Sequence, residues 1–406
     1  MDQLTAAAAR ALEAGDPLTA MKRVALRDDP PALALRGIAM AQIGDLPRAR
    51  ELLRRAARAF GARDPIAQAR CNLAGAEIAL VLRDLGGATQ TLSAAWEVLD
   101  AHGDRSNAAH AAYLEARRLL LIGHLDEAQR VLDRLDFGAL PIASRSGYWL
   151  AVMGIAMRRI QAEAAREALG RAQVAARDTG IPALAAEVRR ATSALAAPAA
   201  RLIADGQDRV LGLAEVEVLI ASDILVVDAC RNVLRSRATV IPLASRPVLF
   251  ALARALGEAW PADVSRETLL ARAFRARQAD ESHRARLRVE IGRLRTMLRP
   301  LATLNATNRG FRLEPQGTEI VAVLAPPVDD DHAGVLALLA DSEAWSSSSL
   351  ALALGVSSRT VQRALEALAE AGKVEWFGRG RARRWIASSV PGFPTSLLLP
   401  APLPEG

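Results

Sequence analysis

Apolar positions in the first half of the chain recur at helical spacing, and the same arrangement returns four times. The windows "IGDLPRARELLRRA" (43–56), "LRDLGGATQTLSAA" (82–95), "IGHLDEAQRVLDRL" (122–135) and "RIQAEAAREALGRA" (159–172) align without gaps. Each places Ala, then Leu four residues on, then Ala or Leu three further: Ala49, Leu53, Ala56; Ala88, Leu92, Ala95; Ala128, Leu132, Leu135; Ala165, Leu169, Ala172. That i, i+4, i+7 spacing is one helical face; the small residue lets a partner helix approach and Leu fills the groove between them. Stretches such as "PALALRGIAMAQ" and "HAAYLEARRLLL" supply a second helix ahead of each window. Residues 1–206 are therefore expected to form a stacked array of helix hairpins, with "GDPLTAMKRV" capping its start. Such an array presents a groove to a peptide or protein, or serves as a scaffold for association with a second copy of the chain.

The windows resemble the tetratricopeptide repeat, with a small residue in the first helix (Gly37), Gly44-Asp45 at the turn and the Ala-Leu-Ala face. The period departs from the 34 residues of that family: successive windows lie 39, 40 and 37 residues apart, and the second and fourth lack the turn glycine at that place.

After residue 207 the pattern shortens. "VEVLI", "DILVVDA", "RNVLR" and "ATVIPL" read as strands. Helical spacing returns in "SRPVLFALARALGEAW", stops at Pro261, resumes at "SRETLLARAF" with Ser265 as N-cap, and continues in "ESHRARLRVEIGRLRTML". "LNATNRGFRL" then reads as a hairpin. This order, carried by "SRETLLARAF", "IGRLRTML" and "ATNRGFRL", resembles the OmpR/PhoB-type winged-helix DNA-binding domain over roughly 224–313, within a domain expected at 208–323. The family usually has a phosphoacceptor receiver domain ahead of this module, whereas helical repeats stand there in this chain. Some antibiotic-pathway regulators pair the module with helical repeats in the opposite order. The resemblance implies a transcriptional regulator whose repeats sense or recruit.

The third helix of that region can be read by its faces. At 100° per residue, Leu287, Ile291, Leu294 and Leu298 form one stripe. The opposite side carries Ala285, Val289, Gly292 and Thr296, flanked by Arg286 and Arg293 on one shoulder and Arg284, Arg288, Arg295 and Arg299 on the other, with Glu290 opposing them. Small residues between arginine shoulders suit a helix lowered into the major groove; a solvated basic face is the alternative. Arg309, in the wing of the resembled family, joins Arg284, Arg286, Arg288, Val289, Arg293 and Arg295 as a candidate DNA contact.

"LAPPVDDDHA" reads as a linker covering 324–332. Ten extended residues reach about 33–36 Å, close to the roughly 34 Å turn of B-DNA, so two modules could occupy successive grooves. Beyond it, "HAGVLALLADSEAW" is helical, and "SSSSLALALGVSSRTVQRALEALAEAG" has helix-turn-helix spacing at Ala351, Gly355 and Val361. Ser357 caps the second helix, which turns Ser358, Arg359, Gln362 and Arg363 outward as base readers. "GKVEWFGRGRARRWIA" forms a hairpin with Arg379 and Arg381 at its tip, and Phe377 and Trp385 anchoring it to its own core. Residues 333–388 resemble the winged helix-turn-helix of GntR- and MarR-like regulators; the alternative is a dimerisation or protein-docking module. Residues 389–406 form a Pro-rich tail.

Charge sharpens this reading only through its distribution. The net is +7, with 50 arginines against Lys22 and Lys373, and the excess per residue is greater within 208–320 (+5) and 333–389 (+2) than within 1–207 (+4). Cys71 and Cys230 lie in apolar surroundings and read as buried thiols, not a disulfide. No phosphate loop, zinc-binding His spacing or nucleophile-elbow motif occurs, so neither catalytic residues, metal nor cofactor are expected. With no basic leader and no run of about 18 apolar residues, a cytoplasmic, nucleoid-associated protein is expected. The fold expected is thus mainly α: a tetratricopeptide-like array followed by two winged-helix (α+β) domains. The function expected is sequence-specific regulation of transcription on double-stranded DNA, with a protein or peptide partner on the repeats. A protein-binding scaffold and a sequence-tolerant architectural DNA binder are the alternatives.

Overall fold

The computed structural model describes residues 2–85, 88–237, 239–243, 246–274, 281–327, 332–339, 344–378, 380 and 383–387. It is mainly helical and falls into two compact units: residues 1–159, 163–195 and 332–406 in the first, and 160–162 and 196–331 in the second.

The first unit opens with helices α1 (Gln3–Glu13), α2 (Pro17–Val24), α3 (Pro30–Ile43), α4 (Leu46–Phe60), α5 (Pro65–Val81), α6 (Ala88–Ala101), α7 (Arg105–Leu121), α8 (Leu125–Arg134), α9 (Ile142–Arg158), α10 (Ala162–Thr179) and α11 (Pro182–Ala196). Their starts are written locally. Asp16, Asp29 and Asp64 each cap a helix whose first residue is proline, and Asp45 and Asp104 accept from backbone amides in the same way. The carboxylate satisfies an amide that has no helical partner, and proline there loses no hydrogen bond.

From α1 to α8 each helix packs on the next, and α7 also packs on α9. The repeated stripe is the buried one. Ala49, Leu53, Ala56, Leu92, Ala95, Ala128, Leu132, Ala165, Leu169 and Ala172 are all buried, whereas Leu135 lies just past the end of α8 and is half-buried. Fully burying each leucine contributes roughly 1.5–3 kcal/mol relative to exposure. Gly37 shows why a small residue is needed in the partner helix: a Cβ there would stand 2.8 Å from Leu53 Cγ.

The same unit includes the C-terminal segment. Helix α16 (Ala333–Leu339) is followed by α17 (Ser347–Leu354), α18 (Ser358–Glu370) and the hairpin of β10 (Val374–Phe377) and β11 (Arg384–Ala387). Gly355 ends α17 in the left-handed region at φ 64°, where a side chain would be strained. The chain can then turn sharply into α18, whose Val361, Ala364, Leu365 and Leu368 face inward. Trp345 and Trp385, both buried, bond each other's backbone in two 2.8 Å hydrogen bonds and tie the start of this segment to its hairpin.

This segment is seated on the helical array. Ser349 Oγ donates to the Arg83 carbonyl at 2.6 Å and accepts from Leu85 N at 3.4 Å, while the Arg83 guanidinium lies 5.5 Å from the Trp345 ring centroid. The turn it grips is held with Arg83 at φ 53°.

The second unit is α/β in its first part. Its six-stranded sheet has the order β2-β1-β9-β3-β4-β5, built from β1 (Ala200–Ala204), β2 (Gln207–Leu211), β3 (Leu225–Asp228), β4 (Val233–Ser236), β5 (Thr239–Pro242) and β9 (Val321–Ala325). Strand β9 runs antiparallel to β1 and parallel to β3, with Leu225 opposite Val321. Helix α12 (Leu213–Ala221) connects β2 to β3. Three helices follow, α13 (Pro247–Ala259), α14 (Arg266–Phe274) and α15 (Glu281–Leu298). A three-stranded sheet of order β6-β8-β7 accompanies them, from β6 (Val264–Ser265), β7 (Ala302–Ala306) and β8 (Gly310–Pro315). One core joins Leu252 and Leu256 of α13, Leu269 of α14, the α15 stripe, and Leu304 and Leu313 of the hairpin.

Several expectations need correction. "VEVLI" is helical: it lies within α12, where the Glu215 carboxylate bonds Gly212 N at 2.9 Å and Leu213 and Val216, three apart, are buried. The boundary expected near 206 falls inside the β1–β2 hairpin, because β1 pairs with β9. Leu324 and Ala325, expected in the linker, are buried strand residues. Cys230 is exposed in the β3–β4 turn, its sulfur 3.9 Å from the Leu324 carbonyl, while Cys71 is buried; neither forms a disulfide. Burial pushes the thiol of Cys71 up to about 12; Cys230 is exposed as a residue, but its sulfur, packed near the Leu324 carbonyl, is desolvated enough to be raised to about 11.

Candidate nucleic-acid interface

Helix α15 has two sharply different sides. Leu287, Ile291, Leu294 and Leu298 are at most 3% exposed, whereas Arg284, Ala285, Arg286, Arg288, Val289, Gly292, Arg293, Arg295, Thr296 and Arg299 are exposed. The core stripe fixes the rotation of the helix, and the arginines follow from it. Their neighbours differ. Arg293 pairs with Glu290 at 3.0 Å, and Arg284 and Arg288 both reach Glu281 at 3.6 Å. Glu281 is thus a second carboxylate on this face beside Glu290. The two pairs with Glu281, exposed at both ends, are worth about 0–1 kcal/mol, so a phosphate can displace them. Arg286 stacks 4.9 Å from the Phe274 ring, and Arg295 Nε donates to the Leu304 carbonyl at 3.0 Å. Arg295 therefore also ties α15 to the hairpin.

The β7–β8 turn stands beside this helix and is held from behind. Arg266, the first residue of α14, donates to the carbonyls of Asn308 and Thr307 at 3.2 and 3.3 Å, its backbone amide bonds the Arg309 carbonyl, and its guanidinium lies over Phe311. Thr307 Oγ1 donates to Asp263 at 2.6 Å and accepts from Gly310 N at 2.9 Å. The turn is fixed, and the Arg309 side chain is left exposed. Ser265 caps α14 as expected, accepting from Thr268 N at 3.1 Å.

In the C-terminal segment, Ser357 caps α18 through Thr360 N, and Ser358, Arg359, Gln362 and Arg363 are exposed at its start. Arg359 and Arg363 occupy the side opposite Val361, Leu365 and Leu368, with Gln362 on its flank and Ser358 exposed as the first residue of the helix. Arg379 and Arg381, the two arginines expected at the hairpin tip, lie outside the described residues. Of the two expected anchors, Trp385 is 3% exposed but Phe377 is 54% exposed. Strand alternation puts them on opposite faces: Trp385 opposes Trp376 and Phe377 opposes Arg384, and Trp376, on the face of Trp385, is itself 51% exposed. Arg383 sits 4.6 Å from the Trp376 ring, so this arginine is stacked on the hairpin itself.

A second arrangement of polar residues escaped the sequence reading. His110 in α7 bridges Ser144 of α9 at Nδ1 (2.9 Å) and Glu77 of α5 at Nε2 (3.2 Å). All three are at most 1% exposed, so this serine–histidine–glutamate line is closed to solvent and ties three helices together. A sequence signal would have required knowing that positions 77, 110 and 144 share one layer of the array. Among the described residues no cluster of His, Cys, Asp or Glu suits a metal ion, and no helix is long and apolar enough to cross a membrane.

No family model matches the chain, and neither a curated protein nor a solved structure shows significant similarity to it.

Proposed function

We propose that the chain is a sequence-specific DNA-binding transcriptional regulator. In this reading the region around α13–α15 and β6–β8 is an OmpR/PhoB-like winged helix, and residues 333–388 are a second winged helix-turn-helix. The tetratricopeptide-like array senses or recruits a protein partner. The observation that carries the reading is the two-sidedness of α15: a buried Leu/Ile stripe orients a row of exposed arginines beside a braced hairpin turn that presents Arg309. Arginines across the shoulders of a groove-sized helix supply phosphate contacts, and Val289 and Gly292 between them allow close approach to base edges. On α18, Arg359 and Gln362 suit guanine and adenine edges respectively.

Recovery of genomic fragments bound by the full-length protein tests the proposal. A shared motif supports a regulator, random fragments an architectural binder, and no DNA a scaffold. Replacing Arg286, Arg288 and Arg293 together is expected to weaken duplex binding and reduce the log–log salt slope by about 0.9 for each phosphate that the variant no longer neutralises. Unchanged affinity and slope would remove α15 from the interface. Replacing Arg359 and Gln362 is expected to change preference among sequences.

A further inference from the structure

The helical array carries a groove whose chemistry differs from that of the protein as a whole. It has a volume of about 560 Å³ and lies between α6 and α8, with α7 as its floor. This is within the ~300–1,000 Å³ range of specific ligand pockets. Leu92 and Trp96 form one wall and Val131 and Leu135 the other, while Ala108 and Ala112 make a shallow floor. Trp96 is 44% exposed, a large apolar surface in a chain with only six tryptophans. Buried aromatic contacts of this kind dominate the energy of protein interfaces. Leu135, which continues the helical stripe in sequence, leaves the core at the end of α8 and adds its side chain to this wall.

The charge of the groove identifies its occupant. Four carboxylates line it, Glu97, Asp100, Glu115 and Asp136, against two guanidinium groups, Arg105 and Arg134. Asp136 pairs with Arg105 at 2.9 Å, and Glu115 with Arg118 at 2.7 Å. Glu97 and Asp100, one helical turn apart on α6 beside Trp96, have no ion-pair partner among the described residues. The protein carries a net charge of +7, so general electrostatics would draw acidic partners, whereas this groove draws basic ones.

We infer that the groove binds an amphipathic helix of a partner protein, with Leu-type side chains seated against Trp96, Leu92 and Val131 and Lys or Arg side chains along one edge facing Glu97 and Asp100. Small floor residues allow the helix backbone to settle between α6 and α8, the helix-in-groove mode of recognition. The inference rests on the reading of the array as a protein-docking domain and specifies the chemistry of what docks.

Two labelled 18-residue peptides test it, identical in a Leu/Ala face and differing in Lys or Glu on the flanks, titrated by fluorescence anisotropy against the full chain. The Lys peptide is expected to bind at least tenfold tighter than the Glu peptide. Trp96→Ala, which changes an exposed side chain, is expected to reduce that binding at least tenfold, and the double change Glu97→Lys, Asp100→Lys to reverse the preference. Binding of both peptides with equal dependence on Trp96 would overturn the basic partner while leaving a docking groove. Binding of neither, with DNA binding intact, would overturn the docking role itself. Binding that emerges only after residues 390–406 are removed would assign the groove to the chain's own tail and overturn a foreign partner.

Discussion

Gly310 is the position at which the braced turn beside α15 can be tested with a single methyl group. It opens β8 and pairs with Ser265 of β6. A Cβ at Gly310 would lie 1.8 Å from the Val264 carbonyl oxygen, 2.8 Å from its carbon and 2.9 Å from Ser265 Cα. These are backbone atoms, so no side-chain rotation relieves the clash. Opening the gap from 1.8 Å to the 3.0 Å that Cβ atoms require pulls β6 away from β8. The two-residue pairing of Val264 with Phe311 and Ser265 with Gly310 is then broken, together with the bond from Arg266 N to the Arg309 carbonyl. Two or three hydrogen bonds at about 1 kcal/mol each, with an overpacking term of about 1–3 kcal/mol, give a destabilisation of roughly 3–6 kcal/mol for Gly310→Ala. At about 3 °C per kcal/mol this lowers the melting temperature of the second unit by roughly 10 °C or more. Gly292→Ala is the control. It lies in α15 with nothing within 4 Å of its added methyl, and is expected to stabilise the helix by about 1 kcal/mol. Calorimetric melting of both variants decides the matter: a Gly310→Ala protein melting within about 1 °C of the parent would refute the close approach of β6 and β8.

Two further outcomes are expected. Ser349→Ala strands the Arg83 carbonyl and the Leu85 amide at a buried contact, at a cost of about 1–3 kcal/mol; hydrogen exchange at Leu85 should accelerate about tenfold or more, and unchanged protection would mean the C-terminal segment is not seated there. Asp2 caps α1, and the Thr5 amide and then Arg27 hold its carboxyl down at about 2, below the ordinary 3.8. Its contribution is therefore present above pH 3.8 and lost as pH falls through about 2; a titration of the Thr5 amide resonance should follow that midpoint, and Asp2→Asn should abolish the step.

The sequence alone determined what depends on neighbours along the chain. The Ser265 and Ser357 caps, the left-handed Gly355 and the buried face of α15 follow from spacing and local backbone chemistry, and so do the Ala-Leu-Ala stripes, whose described members are buried except Leu135, with the Ala88 side chain outside the described residues. The arginine row was legible for the same reason, because the leucines that face the core leave it only one direction. Tertiary structure decided the rest. Strand β9 pairs with β1 and β3, more than ninety residues away in sequence, so nothing in "VAVLA" announced that the linker begins later. "VEVLI" has the composition of a strand, but its apolar residues meet the sheet at helical spacing once Gly212 and Glu215 start a helix. Phe377 and Trp385 look alike as hairpin aromatics, but they lie on opposite faces and only Trp385 is covered, paired with the buried Trp345. The histidine line through Glu77 and Ser144, the grip of Ser349 on Arg83, and the acidic groove at Trp96 join residues of separate elements. Periodicity sets which face of each helix turns inward, but only the stacking of the helices sets which residues on those faces meet.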